Sequence, residues 1–263
     1  FFKQKTAYDI GVRLVGSEMC IRDRVFTHNN LKGIYHFDYE AEEELQYCLE
    51  NPDHAIAKYA IYPPLKEDQK TTINLLPNIL NDSRLVIKAY NTSNRWHAVR
   101  RSVSNSRARN CWIYAKKLQD LGFLVADPVA FVQEYVMGRL KGRSWYLYKF
   151  IDGHTWADYL RTGSDEPSQL LALDKIIDTL HSLWEHRITH GDTKSSNILL
   201  SNNQILLLDL DVMKQHHNKK SAQSAVNRDV SRFLRDLEKD YPNLYEFSTE
   251  KLCKIVFGIR VDR

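Results

Sequence analysis

Cysteine is scarce in this chain of 263 residues: there are four, Cys20, Cys48, Cys111 and Cys253. They are scattered without metal-ligand spacing. That excludes a zinc ribbon or a disulfide framework and leaves reduced, buried thiols of the kind found in cytosolic proteins. No apolar run approaches the roughly 20 residues that span a bilayer as a helix. Repeats, long low-complexity stretches and a signal-peptide h-region are also lacking. Glycine is sparse, and none occurs from Leu76 to Ser83. Charge of one sign is not in large excess: the formal net charge is +4, which says little about partners, and nothing points to nucleic acid.

What remains is 43% apolar and 27% charged, the profile of a globular protein with a sizeable core, in one large domain or in two lobes. The first 24 residues stand apart. Phe1 to Arg24 show neither helical nor strand periodicity, and they resemble translated sequencing-adapter DNA. They are expected to be foreign to the natural chain. Without them Cys20 disappears and the net charge falls to +2.

From Val25 onward the pattern changes once. Asp38–Glu50 reads as a helix capped by Asp38 and stopped by Asn51-Pro52, and His54–Tyr62 as a short strand. Thr72–Leu80 and Arg84–Tyr90 read as a hairpin turned by Asn81-Asp82-Ser83, with Lys88 near the end of its second strand. Asn105–Leu121 predicts a helix, with Ala108, Cys111, Trp112, Ala115 and Leu118 on one stripe and Gly122 ending it. Val129–Met137 and Ser144–Ile151 read as another antiparallel pair, joined by a Gly- and basic-rich turn at 138–143. After Asp152-Gly153 the pattern is mainly helical: Thr155–Arg161, Ser168–His186, Ala222–Lys239 and Thr249–Val256, interrupted by a loop at Ile188–Asn197 and two short apolar runs. A β-rich half followed by a helical half predicts an α+β, bilobal fold, with lobes at 25–151 and 152–263.

The loop carries the chemistry. It reads Thr189-His-Gly-Asp-Thr-Lys-Ser-Ser-Asn-Ile-Leu-Leu200 and is followed by Leu206-Leu-Leu-Asp-Leu-Asp-Val212. The first segment resembles the catalytic loop of the protein-kinase-like superfamily, and Asp209-Leu210-Asp211 resembles its metal-binding Asp-Phe-Gly. The 17 residues from Asp192 to Asp209 leave room for two short strands and a turn. The resemblance implies Mg²⁺ and ATP as cofactors, because phosphoryl transfer depends on positioning and charge neutralisation. It makes Asp192 the group that orients or accepts the proton of an acceptor hydroxyl. It puts Lys194 on the γ-phosphate, Lys88 on the α- and β-phosphates, and Asn197 with Asp209 on the metal. His190 is expected to pack and hydrogen-bond the loop. Asp211 stays open between metal contact and capping of the next turn.

Two departures accompany the resemblance. No Gly-rich phosphate loop precedes Lys88, where Leu76–Ser83 is expected to lie. The helix after Lys88 has no glutamate to pair with it, only Asp120 at its far end. A non-catalytic pseudokinase therefore stays open as an alternative.

A narrower resemblance concerns the acceptor. Ser106-Arg-Ala-Arg-Asn-Cys-Trp112, Ala115, Leu118 and Leu121-Gly122-Phe123 before Pro128, with the loop HGDTKSSN and Asn227–Arg235, resemble bacterial lipopolysaccharide core kinases over Thr72–Leu237. The family implies a heptose or Kdo hydroxyl as acceptor. It also implies a cytoplasmic enzyme, peripheral on the inner membrane face, with Asp229 bracing the catalytic loop. Val212–Ser221 is short, polar and without Ala-Pro-Glu, which disfavours a protein acceptor; a protein Ser/Thr kinase is the alternative. Arg95, Arg100, Arg101, Arg107, Arg109, Lys116 and Lys117 lie in an acid-free stretch suited to anionic sugars or an anionic membrane surface. The five tryptophans read as core rather than as a sugar platform.

Overall fold

The computed structural model describes residues 22–80, 83–91, 105–162 and 165–257. Most of the segment expected to be foreign lies outside these residues, Cys20 included, as do Asn81, Asp82, Arg95, Trp96, Arg100 and Arg101.

The N-terminal region is built on one antiparallel sheet. Its strands are β1 (Asp23–His28), β2 (Leu31–His36), β3 (Lys66–Glu67), β4 (Thr71–Leu80), β5 (Ser83–Tyr90), β6 (Pro128–Val136) and β7 (Leu140–Lys149). Their order is β1-β2-β6-β7-β5-β4-β3. Strand β5 is an interior strand and almost wholly buried, because both faces of the sheet are covered. Side chains alternate across it. Leu85, Ile87 and Ala89 join the core under helices α1 (Glu43–Glu50) and α2 (Pro52–Tyr59). By the same alternation Tyr90 joins the opposite core, under helix α3 (Arg107–Asp120), and Lys88 points to that side. Ser106 caps α3 by accepting from the Arg109 N–H at 3.3 Å. Gly122, at φ +82°, ends it, and the Phe123 N–H closes back on Leu118 O at 2.8 Å.

The C-terminal region is helical: α4 (Trp156–Arg161), α5 (Glu166–Glu185), α6 (Lys219–Glu238) and α7 (Pro242–Leu252), followed by a π-helical turn at Cys253–Phe257. Hairpin β10 (Ile198–Ser201) and β11 (Gln204–Leu207) sits beside β8 (His154–Thr155), and β9 (Ile188–Thr189) pairs with β12 (Lys214–Gln215). One apolar core runs from Tyr90, Trp112, Phe131 and Tyr146 into Trp156, Ile176, Leu180 and Phe233. The sheet-rich and helical halves are therefore welded through α3. All four tryptophans among the described residues are buried, as expected of core. Cys48 and Cys111 are buried free thiols, and burial pushes each up to about 12.

The structure corrects several local expectations. His54–Tyr62 is not a strand: Pro52 does not merely end α1 but opens α2 at its first turn, where a missing N–H costs nothing. Helix α1 starts at Glu43, because Phe37–Tyr39 forms a separate 3-10 turn. Strand β7 begins at Leu140, inside the stretch read as a turn, since Met137 and Gly138 make the reversal with positive φ. The last helix begins at Pro242. Strands β1 and β2 had no counterpart in the sequence reading. β1 opens at Asp23, two residues inside the stretch expected to be foreign, and Asp23 pairs with Lys116 at 3.4 Å.

Phe233 is fully buried where α6 meets the shared core. Phe233→Ala is expected to cost about 3–5 kcal/mol in urea unfolding, through lost burial and a residual cavity. A loss below about 1 kcal/mol would show that this core is not closed around the ring.

Candidate active site

Lys88 is 4% exposed, and its Nζ lies 2.6 Å from Asp209 Oδ1. The partner missing from the helix is thus supplied by Asp209 itself. Burial alone would raise the Asp209 carboxyl, but the Lys88 ammonium and neighbouring donors bring it down to about 2. Asp209 adopts φ +59°, a left-handed conformation that costs an L-residue about 1 kcal/mol. Asp211 follows on the 3-10 turn Leu210–Val212, and its carboxylate is held by the Arg107 guanidinium. Burial, reinforced by the charge of Asp209, raises Asp211 to about 6 against the pull of Arg107 and Lys88.

Helix α3 grips this segment at several points. Arg107 Nη1 also donates to Thr71 Oγ1 at 3.2 Å, and its guanidinium lies 4.4 Å from the centre of the Tyr90 ring. Asn110 Nδ2 donates to the backbone oxygens of Asp211 at 2.8 Å and Met213 at 3.2 Å. Lys88 Nζ sits 5.3 Å from the same Tyr90 ring. Two cations on one aromatic ring thus face two carboxylates two residues apart.

The catalytic loop is fixed by α6. Asp229 is 1% exposed and accepts the N–H groups of His190 and Gly191, each at 2.8 Å, and of the Trp184 indole at 3.2 Å. Thr193 Oγ1 donates to the Asp229 carbonyl at 2.5 Å. One helical turn on, Arg232 Nε meets Asp192 Oδ1 at 3.2 Å, and a turn beyond that Asp236 accepts the Ser195 N–H at 2.7 Å. His190 is buried and hydrogen-bonds Leu208 O at 2.8 Å through Nε2; burial lowers its basicity. Gly191 has φ +84°, and a Cβ there would lie 3.0 Å from Val212 O, so both strain and crowding favour glycine. Asp192 Oδ2 is flanked by Lys194 Nζ at 3.1 Å and Asn197 Nδ2 at 3.0 Å.

Of the five residues singled out by the sequence, Asp192, Lys194 and Asp209 line one cleft, and the buried Lys88 and Asn197 stand behind it, bonded to Asp209 and Asp192. Arg107, Asn110, Arg232 and Asp236 were missed as partners. The spacing of Arg232 and Asp236 from Asp229, on one face of a helix, was the readable signal. The hairpin that faces the catalytic loop is β3–β4, not β4–β5. Residues 66–71 border a cleft of about 320 Å³ with Asp192, Lys194 and Asp209. The basic cluster is also partly used up internally: Arg107 pairs with Asp211, Lys116 with Asp23, and Lys117 donates to Gln215.

A two-part α+β fold with this cleft defines a protein-kinase-like phosphotransferase. The RIO domain family matches residues 79–252, and the chain belongs to it. Among solved structures the chain is similar to WaaP in complex with acyl carrier protein, with a TM-score of 0.59 at 11% identity, over 90% of this chain and 89% of that one. No curated protein sequence matches.

Asp211 holds a proton that an unfolded Asp releases near pH 4. Its contribution to stability is therefore complete below about pH 4 and is lost as pH rises through about 6. Metal-free wild type is expected to lose stability relative to Asp211→Asn across that window in denaturant titrations. A difference that stays constant with pH would remove the assignment.

Proposed function

We propose that this chain transfers the γ-phosphoryl group of ATP to a sugar hydroxyl, a heptose or Kdo of the lipopolysaccharide inner core. The observation that favours a small acceptor over a peptide is the short path after the metal segment. From Asp211 the chain makes the two-residue strand β12 and enters α6 at Lys219. No long segment builds a peptide platform there. Beside Gly191, Val212 and Lys214 lies an open groove of about 610 Å³, a size typical of small-molecule sites.

The donor set fits Mg²⁺ and a polyphosphate. Asp209 is held ionised, and Asn197 and Asp209 offer the hard oxygens that Mg²⁺ prefers. Bound Mg-ATP would supply the phosphoryl group and the divalent charge that offsets its oxygens. Lys88, buried beneath the cleft, is placed to turn from Asp209 to the α- and β-phosphates. Asp192 lies where it can take the proton of the acceptor hydroxyl, with Arg232 and Asn197 fixing its carboxylate. Lys194 lines the same cleft and would neutralise charge at the γ-phosphate. The nucleotide would sit between the lobes at 25–151 and 152–263.

Among the described residues no helix is long and apolar enough to cross a membrane. A lipid-linked acceptor would be met by peripheral contact at the cytoplasmic face. Acyl carrier protein, present with WaaP, is a partner to test by co-purification.

The direct test incubates the purified chain with labelled ATP, Mg²⁺ and dephosphorylated lipopolysaccharide core. Label on the core is expected, and Asp192→Asn should abolish it while nucleotide binding persists. Label on a generic protein and not on the core would instead make the chain a protein Ser/Thr kinase. Tight ATP binding with no transfer to either would make it a pseudokinase. Asp209→Ala should remove Mg-dependent transfer; a variant that kept most of its activity would exclude Asp209 as metal ligand.

A further inference from the structure

The β3–β4 hairpin stands where a protein kinase carries its glycine-rich loop, yet it has no glycine. A glycine loop holds phosphates with open backbone N–H groups. Here the amides of Asp68, Lys70 and Thr71 are consumed within the turn. Asp68 Oδ1 accepts the N–H of both Lys70 and Thr71, each at 2.8 Å. The Asp68 N–H donates to Thr71 O at 2.9 Å. No residue from Lys66 to Thr71 has a positive φ, so no concave array of amides forms. Anion binding by this hairpin then rests chiefly on side chains.

Two cations are on offer. Lys66 Nζ is tied to Asp68 Oδ2 at 3.3 Å. Lys70 has no ion pair or side-chain hydrogen bond among the described residues, and it borders the same cleft as Asp192, Lys194 and Asp209. Across that cleft Lys88 is engaged by Asp209 and Arg107 by Asp211. Lys70 is thus the cation of the hairpin with its charge uncommitted.

We propose that Lys70 binds the terminal phosphates of the nucleotide, an ammonium taking the place of the amides of a glycine loop. The acidic turn serves it by closing the backbone on Asp68 and aiming the lysine stem at the cleft. The inference rests on the kinase reading and deepens it. Phosphate binding by an exposed point charge is screened by salt, unlike binding by a buried amide array.

The test is calorimetric titration of the full chain, wild type and Lys70→Ala, with Mg-ATP, ADP and AMP. Lys70→Ala is expected to weaken Mg-ATP binding about fivefold, the scale of one partly exposed charge contact. The loss should shrink for ADP and vanish for AMP, and Lys70→Arg should restore most of it. Equal affinity for Mg-ATP in wild type and Lys70→Ala would overturn the inference alone. So would an equal loss for ATP, ADP and AMP, which marks a structural role. Failure of wild type to bind Mg-ATP at all would overturn the kinase reading, and this inference with it.

Discussion

Two aspartates two residues apart, Asp209 and Asp211, are folded into one partly buried turn, and their mutual repulsion has to be answered. The answer comes from two different elements: Lys88 from strand β5 and Arg107 from the first turn of α3. Both cations lie against the Tyr90 ring. Each carboxylate is therefore satisfied only if sheet, helix and the Asp209–Asp211 turn are all in register. Losing one partner of the buried Lys88–Asp209 pair costs about 3–5 kcal/mol, because the other charge is stranded; the Arg107 guanidinium, 38% exposed, contributes less to Asp211. In kinases that carry a helix glutamate the strand lysine is held from the helix. Here the helix offers a cation instead, and Asp211 is what it holds.

A single helix does the corresponding work for the catalytic loop. Along α6, Val226, Val230, Phe233 and Leu237 enter the core. On the adjacent ridge Asp229, Arg232 and Asp236 take up two backbone amides, the Asp192 carboxylate and a third amide in turn. Packing of the helix and shaping of the loop are thus one event.

The chemistry of the cleft was legible because it rests on local spacing. Asp192, Lys194 and Asn197 fall within six residues, and Asp209 follows a β-run whose buried character is plain in Ile205 to Leu208. Lys88 was singled out by its place near the end of a strand run and by the kinase resemblance, and it lies beside Asp209. What escaped was non-local. Nothing around Arg107 says that its guanidinium crosses to Asp211, since the pairing spans 104 residues. The hairpin that borders the cleft was misplaced because β3 is only two residues long and carries no apolar alternation. Strand and helix were confused at His54–Tyr62, where Ala55, Ala57 and Lys58 favour helix while Ile56 and Tyr59 favour strand. The internal use of the basic stretch was hidden as well, because composition shows charge but not its partner.

The shared core has a mechanical corollary. Swinging the sheet away from the helical half would uncover Trp112, Phe131, Tyr146 and Trp156 together, at about 25 cal/mol for each Å² of apolar surface. The tip of the β3–β4 hairpin, residues 66–70, is exposed and is closed by the hydrogen bonds of Asp68, while β4 itself is buried against β5. Movement at the cleft therefore costs less at this hairpin tip than between the two halves, which share one core.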